Sequence, residues 1–160
     1  MLNWGLSQRD NTQPEVKLPA FKLKDVEGVT FDLYRRSSKP IIIHFMAINC
    51  GGSFSTINVN QLRELAKVKS TLGEGVELVT VTLTTCTTTD LLELKRSYNV
   101  TWTFGNDYDD EKLDILESFK KHSLTDGSLI IGTSLNNLKE VIREVVKAET
   151  LIDKLRTLMG

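Results

Sequence analysis

The run Pro40-Ile41-Ile42-Ile43-His44-Phe45-Met46-Ala47-Ile48, continued by Asn49-Cys50-Gly51-Gly52-Ser53, decides the reading of the fold. Its first part is almost unbroken in apolar, largely β-branched residues. That is the pattern of a parallel strand covered on both faces, and it predicts a central strand over 41–47. Beyond Ser53 the period changes. Val59, Leu62, Leu65, Ala66, Val68 and Leu72 return mostly at spacings of three and four until Gly73 and Gly75 end the pattern, which predicts a helix. A second strand follows over 76–83. Thr87, with Asp90 three residues on, then reads as a capping box opening a helix over 91–98. The unit is β-α-β-α.

Working outward, residues 1–18 form a polar, extended lead-in marked by Pro14, with Pro19 opening a single domain over 19–160. Alternation in Phe21-Lys22-Leu23-Lys24 and Val29-Thr30-Phe31-Asp32-Leu33, around Asp25-Val26-Glu27-Gly28, predicts an added N-terminal β-hairpin. On the other side, Thr101-Trp102-Thr103-Phe104 suggests a short strand. Asp109 is positioned to cap a helix carrying Leu113, Leu116 and Phe119. Strands over 128–133 and 138–146, joined by Ser134-Leu135-Asn136-Asn137, precede a last amphipathic helix with Leu151, Ile152, Leu155, Leu158 and Met159. This order predicts an α/β fold with a central mixed sheet and helices on both faces. Ligands of such sheets lie beyond the carboxyl ends of the strands, which makes the turn at Cys50 the candidate site.

The 160 residues, 40% hydrophobic and 26% charged, have the composition of one globular domain and exclude collagen-like or mostly disordered chains. With 20 Lys+Arg against 21 Asp+Glu there is no basic excess to bind a phosphate backbone, so nucleic acid is not an expected partner. The longest apolar run is far shorter than the ~18 residues a membrane span needs. Residues 1–13 contain no continuous apolar stretch of signal-peptide type.

Two cysteines, Cys50 and Cys86, are too few for a disulfide scaffold or a cysteine-only zinc site. At the start of a helix, Cys50 would face unpaired N–H groups and the positive end of the macrodipole, both of which lower a thiol pKa. Gly51 and Gly52 leave its sulfur uncrowded. Ser53 stands where a second cysteine would complete Cys-x-x-Cys; its hydroxyl can hydrogen-bond a thiolate but cannot resolve a mixed disulfide, so an adduct on Cys50 should persist. Cys86 follows the second strand. A disulfide to Cys50 needs Cα atoms within about 7 Å, which two separate strand ends meet only by chance or design, so Cys86 is expected to contribute no disulfide, with a second-thiol role as the alternative. His44, alternating within a buried strand, reads as a core histidine. His122 reads as a cation at a helix C-terminus. Asp107, Asp109, Asp110 and Glu111 lack the glycine of a calcium loop and read as a solvated helix N-terminus.

On Pro19-Ala20-Phe21, Leu23-Lys24-Asp25, Gly28, the run from Lys39 to Ala47 before Cys50, Tyr98-Asn99-Val100-Thr101-Trp102 and the closing hairpin and helix, the sequence resembles the thioredoxin-like superfamily. The branch it resembles is that of the TlpA- and ResA-type thiol-disulfide oxidoreductases. The resemblance implies a thioredoxin-like fold with Cys50 as the attacking cysteine, a protein disulfide or thiol as substrate, and no cofactor or metal. It also suggests an extracytoplasmic protein whose leader or anchor is missing here, with a cytoplasmic one as the alternative. Three positions depart from the family: Ser53 replaces the resolving cysteine, Asn49 the usual tryptophan, and Thr125-Asp126-Gly127 stands where a cis-proline is expected. The alternative from another class is a redox-inactive binding module holding a partner protein at Cys50 and Thr125-Asp126-Gly127.

Overall fold

Strand β3 (Ile41–Ala47) splits its side chains by parity. Ile42 and Met46 join Leu62, Leu65 and Val68 of helix α1 (Thr56–Leu72) and Leu151 and Leu155 of helix α4 (Ala148–Met159) in one core cluster. Ile41, Ile43 and Phe45 join Phe21, Phe31, Ile115 and Phe119 in the other. Burial on both faces is what an unbroken apolar run requires, and it fixes β3 in the sheet centre. The computed structural model describes residues 16–48, 56–84, 86–109 and 112–159.

The main sheet has the order β5-β4-β3-β8-β9. Strand β4 (Glu77–Leu83) and then β5 (Thr103–Asn106) lie parallel to β3 on one side, in the register Ile41↔Glu77 through Ala47↔Leu83 for the inner pair. On the other side β8 (Leu129–Gly132) runs antiparallel to β3, and β9 (Leu138–Ile142) pairs antiparallel to β8, so β9 again points the same way as β3. Helix α2 (Thr88–Ser97) joins β4 to β5, and α3 (Asp114–Ser118) precedes β8. Leu91 of α2 packs in the α1/α4 cluster, and Ile115 of α3 packs in the opposite one, so helices cover both faces. Among the described residues no helix is long and apolar enough to cross a membrane.

The hairpin forms as its alternation predicts, β1 (Lys22–Lys24) pairing with β2 (Thr30–Asp32) in the register Leu23↔Phe31. It is tied to the sheet through Asp25. One carboxylate oxygen accepts Glu27 N–H at 2.6 Å; the other accepts Phe104 N–H at 2.8 Å and Lys95 Nζ at 3.0 Å. Residues 16–18, within the stretch read as lead-in, are also bound to the sheet: Leu138 N–H donates to Val16 O at 2.6 Å and Leu18 N–H to Asn136 O at 2.7 Å.

Several element ends differ from the sequence reading. Thr87 does cap α2, its hydroxyl accepting Asp90 N–H at 3.2 Å, but the helix starts at Thr88. Asp109 lies in the short strand β6 (Tyr108–Asp109), paired with β7 (Lys112–Leu113), rather than at a helix start. The cap of α3 is Asp107, whose buried carboxylate accepts Ile115 N–H and Leu116 N–H, each at 2.8 Å. Strand β9 stops at Ile142 rather than 146 because Gln61 of α1 captures the Val146 backbone, accepting its N–H at 3.0 Å and donating to its carbonyl at 3.2 Å.

Candidate active site

The carboxyl end of β3 is tied on two sides. On the β8 side, Thr125-Asp126-Gly127-Ser128 is a β-turn closed by Ser128 N–H to Thr125 O at 3.0 Å. Gly127 sits at φ +88°, the left-handed region that favours glycine at the third position of such a turn. The turn continues the sheet: Gly127 N–H donates to Phe45 O at 2.8 Å and Phe45 N–H to Ser128 O at 2.9 Å. Beyond them Asp126 acts as a side-chain extension of the ladder, accepting Ala47 N–H at 2.8 Å. Asn58, fully buried on α1, joins the same group, its amide donating to Asp126 at 3.1 Å and to Ala47 O at 3.3 Å. The last peptide of β3, the first turns of α1 and the loop before β8 thus share one hydrogen-bonded cluster. No cis peptide bond occurs among the described residues, in keeping with the absence of proline at this turn.

On the β4 side, Ile48 N–H donates to Leu83 O at 3.4 Å, prolonging the parallel pairing one residue past the strands. Thr84 then turns the chain. Asn106 of β5 holds its backbone at both ends, accepting Thr84 N–H at 3.2 Å and donating to Thr84 O at 2.8 Å. The Thr84 hydroxyl accepts Cys86 N–H at 3.1 Å and donates to Cys86 Sγ at 2.9 Å. Cys86 is disulfide-bonded. This corrects the expectation that it contributes no disulfide: β3 and β4 end in register, Ala47 beside Leu83, a relationship that spacing along the sequence does not reveal. Asn49, Cys50, Gly51, Gly52 and Ser53 lie outside the described residues.

Beneath the site His44 is fully buried, with Thr80 Oγ1 at 3.2 Å from its Nδ1. Trp102 Nε1–H donates to that same Thr80 oxygen at 2.9 Å, so the threonine hydroxyl links the indole to the imidazole. Burial lowers the His44 pKa to about 4, against a smaller opposing pull from the Asp126 charge. The imidazole is neutral at pH 7, the core histidine expected from the sequence. His122 departs from its expected role. It ends a 3-10 turn over Lys120–His122, and burial together with the Lys121 and Arg143 charges lowers its pKa, so the cation is disfavoured.

Solved structures share this architecture. A thiol:disulfide interchange protein of the thioredoxin family from Chlorobium tepidum TLS superposes with a TM-score of 0.73 at 14% identity, covering 93% of this chain and 99% of its own. The chain has a thioredoxin-like fold. A secreted disulfide oxidoreductase of Mycobacterium tuberculosis matches with a TM-score of 0.68 at 15% identity over 86% of this chain and 96% of its own. StoA of Bacillus subtilis matches with 0.63 at 17% over 88% and 98%. No protein-family model and no curated protein matches the sequence.

In this thioredoxin-like frame the sequence reading brings Thr125, Asp126, Gly127 and Cys86 to the carboxyl edge of β3 and β4. It misses Asn58, Thr84 and Asn106, which hold that edge together. Asn58 is the one with a legible signal: an asparagine inside a helix, of poor intrinsic propensity, marks a side chain with work outside the helix.

Proposed function

We propose that the chain is a thiol-disulfide oxidoreductase in which Cys50 attacks a protein disulfide and forms a mixed disulfide with it. The observation that carries this reading is the place of Cys86, a disulfide-bonded cysteine, at the carboxyl edge of the sheet beside the strand that leads to Cys50. The activity named for the similar thioredoxin-like structures supports it. The Cys50 thiolate displaces one sulfur of the substrate disulfide, and that sulfur leaves as a thiolate. Ser53 stabilises the attacking thiolate by donating a hydrogen bond, and Gly51 and Gly52 leave room for the nearly linear arrangement of three sulfurs. Asn49 and the turn Thr125-Asp126-Gly127 form the surface against which the substrate chain lies.

The test is the pH dependence of iodoacetamide alkylation of the reduced chain, resolved by peptide mass. Cys50 is expected to label at a pH below the ordinary thiol range and before Cys86. Labelling of Cys50 only within or above that range, or after Cys86, contradicts the reading and favours a redox-inactive binding module.

A further inference from the structure

We propose that Cys86 is the resolving thiol, so that the redox couple of this protein is a Cys50–Cys86 pair spanning two parallel strands; this rests on the exchange chemistry proposed for Cys50. Cys86 is disulfide-bonded, and the chain contains one other cysteine. The sheet register supplies the geometry. Ala47 and Leu83 are paired across β3 and β4, and Cys50 and Cys86 each follow their own member of that pair by three residues. Parallel strands run about 4.8 Å apart, so the register pair from which both cysteines depart already stands within the roughly 4.4–6.8 Å between Cα atoms that a disulfide accepts. The Cys86 side is also held in place. Asn106 fixes the Thr84 backbone, and the Thr84 hydroxyl donates to the Cys86 sulfur at 2.9 Å.

In the resolving step the Cys86 thiolate attacks Cys50 Sγ of the mixed disulfide. The Cys50–substrate bond breaks, the Cys50–Cys86 bond forms, and the substrate sulfur leaves as a thiolate that takes a proton from solvent. Two electrons pass in total from the cysteine pair to the substrate disulfide, and an external thiol or dithiol reductant restores the pair. Ser53 is then no defect, because the second thiol comes from the neighbouring strand.

The reduced chain, Cys86→Ser and Cys50→Ser are each mixed with glutathione disulfide, quenched with N-ethylmaleimide at intervals, and read by intact mass and peptide mapping. The unsubstituted chain should pass through a short-lived glutathione adduct to a peptide linking Cys50 and Cys86. In Cys86→Ser the adduct should sit on Cys50 and last at least about tenfold longer, since nothing performs the second exchange. Equal adduct lifetimes with and without Cys86 would overturn its resolving role while leaving exchange at Cys50 intact. Absence of any adduct on Cys50 in Cys86→Ser would overturn the exchange chemistry itself. Faster adduct formation on Cys86 in Cys50→Ser than on Cys50 in Cys86→Ser would overturn the assignment of roles. Should Cys86→Ser fail to fold, the time course of the unsubstituted chain decides alone: a persistent adduct without the linked peptide contradicts the proposal.

Discussion

Ala47 and Leu83 are register partners at the carboxyl ends of two parallel strands, and the pairing runs one residue further through Ile48 N–H to Leu83 O at 3.4 Å. The relationship matters because parallel strands advance together: residues at equal offsets beyond such a pair start from neighbouring positions on one edge. Cys50 and Cys86 stand at equal offsets.

The first prediction concerns Ser53→Cys. A thiol at the Cys-x-x-Cys spacing competes with Cys86 for Cys50. The oxidised variant should pair Cys50 with the introduced thiol, leave Cys86 open to alkylation, and reduce insulin in a dithiol-driven assay. Peptide mapping without reductant checks the pairing, and a Cys86 that stays blocked would contradict it.

Asp126 should matter to stability through its acceptors rather than its charge. Asp126→Ala leaves Ala47 N–H and the Asn58 amide without this partner, a loss of about 1–3 kcal/mol. Asp126→Asn retains one carbonyl oxygen and should cost less. Urea unfolding of the three proteins at pH 7 orders them.

His44 makes stability fall in acid. Its folded-state pKa, about 4, lies below the ordinary value of 6.5 because burial disfavours the cation. Above pH 6.5 the folded and unfolded chains are both neutral at this residue, and there is no penalty. As pH falls through that value the unfolded chain takes up a proton the folded one refuses, and the penalty grows until about pH 4, reaching about 3 kcal/mol at about 1.4 kcal/mol per pKa unit. His44→Gln can still hydrogen-bond Thr80 and does not titrate. The stability of the unsubstituted chain relative to His44→Gln should therefore decline by that amount between pH 7 and pH 4, measured by urea unfolding.

Lys95 meets two carboxylates of different worth. Its side chain and that of Asp25 are 9% and 8% exposed, at 3.0 Å, whereas Glu27, at 2.6 Å, is 53% exposed. Asp25→Ala removes the buried partner of the Lys95 ammonium together with the acceptor of Phe104 N–H and Glu27 N–H, and should cost about 3–5 kcal/mol. Glu27→Ala removes a solvent-screened pair and should cost less than about 1 kcal/mol. Denaturant midpoints of the two variants separate these cases.

Sequence periodicity carried most of the architecture. The run over 41–47 announced a doubly covered central strand, the alternation around Gly28 a hairpin, and Thr87 a helix cap, because each depends on residues close together in the chain. What it could not carry depends on register or competition. Four acidic residues compete for one helix start, and only the path of the chain out of β5 places Asp107 rather than Asp109 under the N–H groups of α3. The strand over 138–146 was cut short by Gln61, a residue far away in sequence. The Cys86 disulfide was legible only as the alternative reading, since spacing along the chain says nothing about which strand ends share an edge.

The central claim is tested most directly by a redox titration of the full chain in defined mixtures of reduced and oxidised dithiothreitol, read by alkylation and peptide mass. A single two-electron transition in which Cys50 and Cys86 become protected together, with a peptide linking them at the oxidised end, is the result predicted. Cysteines that remain alkylatable throughout, or that become protected independently of each other, would contradict it.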